Sequence, residues 1–166
     1  MFELKPLTRE AIPKALERAE RYRLLNEPLE AESICLDVLQ VDGDSQPALV
    51  MLLLALTDQF DDHVPDAVHK AREVLPRLDG EYARAYYTGL VAERRAKARL
   101  RLGGPGSGHV AYELLNQAMT CYETAERLRP PGNDDALLRW NACVRIFDRH
   151  PQIAPAPQET AETLLE

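Results

Sequence analysis

At intervals along this chain a helical apolar pattern is interrupted by a residue with almost no side chain, at Ala19, Ala31, Ala67, Gly89 and Ala118. A small residue on the contact face lets two helix backbones approach closely, whereas a larger one holds them apart. Pairing Ala19 with Ala31, and Gly89 with Ala118, predicts antiparallel helical hairpins that touch at these points. Ala31 and Ala67 are 36 residues apart, which suits one repeat of such a hairpin. Ala67 and Ala118 are 51 apart, so the last hairpin must be longer than the others. Ala, Leu, Glu and Arg are abundant and Gly is sparse outside one loop, a mixture that favours helix.

Punctuation divides the chain into rods. Thr8 or a neighbour is a candidate cap for a first helix through Ala15, Leu16, Ala19, Tyr22 and Leu25, with Pro13 in its opening turns. Asn26-Glu27-Pro28 breaks it, and a second helix carries Ala31, Ile34, Cys35, Val38 and Leu39. Gly43 is expected to end that helix in the left-handed conformation. Ser45 is expected to cap a third helix through Leu49, Leu52, Leu53 and Leu56. An acidic turn follows, and Pro65 is expected to open a return helix with Ala67, Val68, Ala71, Val74 and Leu75. Residues 81–102 hold no proline, and Ala85, Gly89, Ala92, Ala96 and Leu100 mark one thin face. Gly103 to Gly108 reads as a flexible tip, and a return helix is expected from about His109 to Arg129. Asp134 or Asp135 is expected to cap a last helix, Ala136 to about Asp148, with Trp140 read as a core residue. The three prolines after residue 150 cannot continue a helix. The segmentation is therefore one helical domain over 8–148 and an acidic, proline-containing tail over 149–166, expected to be mobile or to become helical on docking.

Charge narrows the function. A net charge of −7 argues against general affinity for nucleic acid or anionic membranes. The longest apolar run, Ala48 to Leu56, is nine residues and too short to span a bilayer. The opening MFELKPLTRE lacks the basic-then-apolar order of a secretory leader. Cys35, Cys121 and Cys143 are far apart and odd in number, and they lie inside apolar helical patterns. They read as buried free thiols of a cytoplasmic protein rather than as a zinc or disulfide framework.

Three constellations admit sharper readings. The Gly103–Gly108 loop precedes a helix, but His109 stands where a phosphate-binding loop needs lysine. The turn holding Asp58, Asp61, Asp62, His63 and Asp66 has no calcium-loop spacing, and carboxylates before a helix are explained by the helix dipole. Arg84, Arg94, Arg95, Lys97, Arg99 and Arg101 read as a solvated face or as a docking site for an acidic partner. His63, His69, His109 and His150 show no spacing with a Ser or Cys nucleophile that suggests a triad. The reading is of a protein that is not an enzyme and needs no cofactor or metal.

These residues resemble the tetratricopeptide repeat family, whose unit is a helical hairpin of roughly 34 residues. In the first unit Ala19, Tyr22, Ala31, Cys35 and Val38 match the family pattern, with Gly43 in place of its proline. The second unit places Leu53 at a small position before Ala67. The third shows Gly89, Ala118, Tyr122, Ala125 and Pro130. Ala136 to Ile146 resembles the first helix of a fourth unit and would act as a cap. The stretch PPGNDDALLRWN resembles segments of bacterial members. The resemblance implies an all-α, right-handed superhelical stack of about three and a half hairpins, the third elongated. It also implies a binding scaffold whose groove is lined by the first helix of each hairpin. The matching groove residues are Leu16, Glu20 and Arg23, then Val50, Leu54 and Asp58, then Tyr86, Leu90 and Arg94. The set lacks the repeated Lys/Asn pattern with which chaperone-binding members clamp a terminal carboxylate. The implied ligand is an amphipathic helix or extended apolar segment of a partner protein. The alternatives are a self-associating module, dimeric through the last helix or the tail, and a ligand- or metal-binding helical domain.

Overall fold

The computed structural model describes residues 1–61 and 66–157. Among these there are seven α-helices and no strand. They are α1 (Ile12–Leu24), α2 (Pro28–Val41), α3 (Gln46–Thr57), α4 (Ala67–Val74), α5 (Glu81–Leu102), α6 (Ser107–Leu128) and α7 (Asp135–Arg149). Short 3-10 turns lead into α1 and follow α4.

Local chemistry accounts for most boundaries. Pro13 and Pro28 fall in the first turns of α1 and α2, where an N–H has no helical partner to lose. Ser45 caps α3 by accepting a hydrogen bond from the Ala48 N–H at 3.4 Å, as its position in the sequence predicts. Gly80 (φ 83°) and Gly103 (φ 69°) flank α5, and no residue inside its 22 positions breaks it. Asn133 rather than an aspartate side chain holds the start of α7, its Oδ1 accepting from the Asp135 N–H at 3.0 Å. After α1 the left-handed residue is Asn26, at φ 60°, whereas Gly43 after α2 does not take that conformation. A chain reversal one residue after Leu25 needs that conformation, which Asn tolerates. The second helix ends at Asp42 in an ordinary backbone state. Thr8 makes no side-chain cap. Pro65, with Asp62, His63 and Val64, lies outside the described residues.

Each helix packs on its neighbour in the chain from α1 to α4 and from α5 to α7. In addition α1 touches α3, and α3 touches α5. The buried residues form two clusters. Ala19, Ala31, Cys35, Leu49, Leu52, Leu53 and Leu56 make the first, and Ala96, Ala111, Leu115, Ala118, Tyr122 and Cys143 dominate the second. The long α5 is the wall between them. Val91 belongs to the first cluster and Ala92, about 100° further round the helix, to the second. Trp140 is half-buried beside the second cluster, its indole N–H donating to Glu123 at 3.2 Å.

The expected contact between Gly89 and Ala118 is present. A Cβ on Gly89 would stand 3.1 Å from the Ala118 carbonyl oxygen and 2.8 Å from the Tyr122 ring. Glycine is the residue that lets α5 and α6 come this close. The return helix α6 starts at Ser107, so Gly108 is a packing residue and not part of a flexible tip. A side chain there would collide with the Gln152 carbonyl oxygen, because the chain beyond α7 folds back over α6. Ile153 is buried in the second cluster, and His109 Nδ1 lies 2.9 Å from the Ala154 carbonyl oxygen. The first residues of the proline-containing stretch thus belong to the helical body, and residues 158–166 lie outside the described part.

Candidate functional site

The nine residues singled out by the family resemblance lie on or directly after α1, α3 and α5, the three helices that touch one another across the hairpins. They are not equally placed. Glu20 is exposed, and Leu16, Val50, Leu54 and Tyr86 are half-buried. Leu90 is 3% exposed and offers no surface to a partner. Its side chain is covered because the period of α5 places it on the same face as Glu93, three residues on, which is also buried. Tyr86 is held in an aromatic group, stacked on Tyr82 with centroids 6.0 Å apart and edge-on to Tyr87 at 5.0 Å. Burial raises the pKa of its hydroxyl, as it does for Tyr87.

Three of the nine meet in one ion-pair network. Arg23 donates from Nε to Asp58 Oδ2 at 2.7 Å and from Nη2 to Oδ1 at 3.3 Å. Arg94 Nη1 donates to the same Oδ1 at 3.2 Å. A single carboxylate after α3 therefore ties the last turn of α1 to the middle of α5. The two-point contact with Arg23 fixes its orientation as well as its distance. Arg94 Nε is buried and has no hydrogen-bond partner among the described residues.

The network forms one wall of an open cavity of about 450 Å³, completed by Leu24, Asn26, Asp61 and Arg101. Arg101 is ion-paired with Asp61. The rim thus presents three guanidinium groups to two carboxylates, a local positive excess in a chain of net charge −7. Leu24 is 83% exposed at its mouth. Such a site can hold a polar or anionic group beside an apolar one. Arg23, Asp58 and Arg94, three of the residues that the resemblance singled out, meet in this wall. Asn26, Asp61 and Arg101 join them only through the tertiary fold, since Arg101 comes from the end of the long helix.

The other constellations resolve differently. Asp58 and Asp61 of the acidic turn are engaged by arginines, and Asp66 is exposed. No group of three or more His, Cys, Asp or Glu among the described residues could hold a metal. The basic series on α5 is not a uniform solvated face. Arg84 donates to the Leu78 carbonyl at 2.8 Å, Arg94 and Arg101 pair with aspartates, and Lys97 pairs with Glu93. The three thiols are free. Burial pushes the pKa of Cys35 and of Cys143 up to about 12 and also raises that of Cys121.

The burial of two carboxylates was not expected from the sequence. Glu93 on α5 is 0% exposed, accepts from the Tyr122 hydroxyl at 2.6 Å, and faces Arg139 at 3.7 Å. Glu32 on α2 is 7% exposed, accepts from Gln59 Nε2 at 2.7 Å and pairs with Lys70 at 3.0 Å. Glu93 stands four residues after Gly89 and three before Ala96, on the contact face that the small residues mark, whereas Glu32 stands in a run that reads as ordinary exposed helix. No described helix is long and apolar enough to cross a membrane. No family model, curated protein or solved structure matches the chain.

Proposed function

We propose that this chain is a non-catalytic scaffold of the tetratricopeptide kind, holding a peptide or partner helix on the face shared by α1, α3 and α5. The observation that carries this reading is the contact among three helices that are not neighbours in sequence, α1 with α3 and α3 with α5. Contacts of that type are what a stack of hairpins makes between the first helices of successive units. The half-buried Leu16, Val50 and Leu54 supply apolar surface, and the Arg23–Asp58–Arg94 network supplies a charged end. A ligand suited to both is an amphipathic segment with one polar terminus. Three free thiols suit a reducing compartment such as the cytoplasm.

The test is capture of partners by the chain and by a Leu16→Glu/Leu54→Glu variant whose melting curve matches the parent. Partners lost from the variant support the reading, and an unchanged partner set removes it. Self-association is a second reading, favoured by Leu138, which is 60% exposed on the last helix. Sedimentation across a wide concentration range decides it, because a monomer throughout leaves no dimer to explain.

A further inference from the structure

A second cavity lies away from the α1/α3/α5 face, and it arises from unequal helix lengths. The rods α5 and α6 each have 22 residues, roughly 33 Å. The helices beside them, α3 and α4, have 12 and 8, roughly 18 and 12 Å. The last turns of α5 and the first turns of α6 overhang in the sense that, on this side and among the described residues, they meet only Phe60 and Asp61 after α3 and Val68 of α4 around one cavity. Beneath the overhang is a cavity of about 420 Å³ whose apolar floor includes Phe60, Val68, Ala98, Leu102, Val110 and Leu114. Leu102 is 56% exposed and Val110 43%, so large aliphatic surface faces water here.

The rim carries Arg95, Arg99 and Arg101. Arg101 is matched by Asp61, but Arg95 and Arg99 make no ion pair among the described residues. Arg95 is half-buried and is also repelled by Arg72, and both effects lower its pKa. Two like charges with one of them partly desolvated raise the energy of the isolated chain. An anion beside them would relieve that strain.

We propose that this cavity is a docking surface for an acidic segment of a partner protein, with a leucine-sized side chain in the Leu102–Val110–Leu114 floor and flanking carboxylates on Arg95 and Arg99. Charge complementarity selects the acidic partner, and the exposed aliphatic floor requires the apolar anchor. The site is separate from the proposed hairpin face and shares with its cavity only the Asp61–Arg101 pair.

The probe is a fluorescently labelled peptide that repeats Glu-Glu-Leu-Leu, titrated into the full chain and followed by anisotropy. Saturable binding is expected, weakened about tenfold or more in an Arg95→Glu/Arg99→Glu variant and at high salt. A control peptide with serine for leucine should not bind. The Leu16→Glu/Leu54→Glu variant should bind as the parent does, which separates this surface from the other one. Arg95→Ala/Arg99→Ala serves as the second variant should the charge reversal fail to fold. Binding that survives loss of both arginines, or that needs no leucine, overturns the proposal, as does no saturable binding. Binding that emerges only when residues 158–166 are deleted also overturns it, and assigns the cavity to the chain's own acidic stretch.

Discussion

The two halves of the molecule solve one problem with different materials. Each buries a glutamate that links three successive helices. In the first half Glu32 of α2 reaches Gln59 after α3 and Lys70 on α4. In the second, Glu93 of α5 reaches Tyr122 on α6 and Arg139 on α7, with Lys97 one turn away. The surroundings differ. Around Glu32 the core is leucine-rich, and α3 buries apolar residues on most of its circumference. Around Glu93 alanine is the commonest core residue, at Ala92, Ala96, Ala111, Ala118, Ala125 and Ala136, with Leu114, Leu115, Ile146 and Ile153 around one large ring, Tyr122, on which Gly89 packs. Leucine cores draw stability from apolar area, whereas a small-residue seam draws it from close backbone approach and from hydrogen bonds made in the dry space that results. The first half should therefore be sensitive to lost volume and the second to lost polarity or added volume.

The contrast in polarity is tested most sharply at the deeper glutamate. Glu93→Gln leaves Lys97 and Arg139 without their countercharge and should cost about 3 kcal/mol in urea denaturation. Glu32→Gln should cost about 1 kcal/mol, because Lys70 is 44% exposed and can turn to water. Equal losses would break the comparison.

Opposite changes of volume should destabilise the two halves. Leu53→Ala removes a side chain that is 0% exposed and should cost about 2–5 kcal/mol through the cavity it leaves. Gly89→Val adds bulk against the Tyr122 ring and the Ala118 carbonyl and should cost about 1–3 kcal/mol. A stable Gly89→Val protein would show that the two long helices can separate without penalty.

Alkali tests both halves at once, since Cys35 lies in the first core and Cys143 in the second. Burial raises both folded thiols from an ordinary value of 9.0 to about 12. Unfolding therefore releases protons that the fold retains. The stabilisation from these thiols is complete below pH about 9 and is lost as pH rises toward about 12. Melting temperatures across that window should fall, and Cys35→Ser/Cys143→Ser should flatten the fall. Smallest of all is Asp58→Asn, which weakens a half-buried network and should cost at most about 1 kcal/mol. It leaves Arg23 and Arg94 facing each other, so its clearer signature is a changed affinity for anionic ligands at that face.

Much of the fold was legible. The bounds of α5 follow from an unbroken run between glycines, and Ser45, Pro13 and Pro28 mark helix starts through chemistry that acts within one turn. The approach of Gly89 to Ala118 was legible too, because a small residue on an apolar face has few other uses. The candidate site was legible only in part. Arg23, Asp58 and Arg94 were placed together by matching equivalent positions, but Leu90 from the same pattern is covered. The exposed overhang was not foreseen, since it depends on the difference in length between helices that are distant in sequence.

By itself the sequence determined that the chain is helical, where most of the helices lie and which faces are apolar, for these rest on periods and caps local to a few residues. The tertiary structure alone decided that Glu93 and Glu32 are buried, that Gly108 is covered by Gln152, and that Ile153 joins the core. Their environments come from distant segments, as His109 and Ala154 do at 45 residues apart, and helical periodicity carries no record of what lies across a contact at that distance.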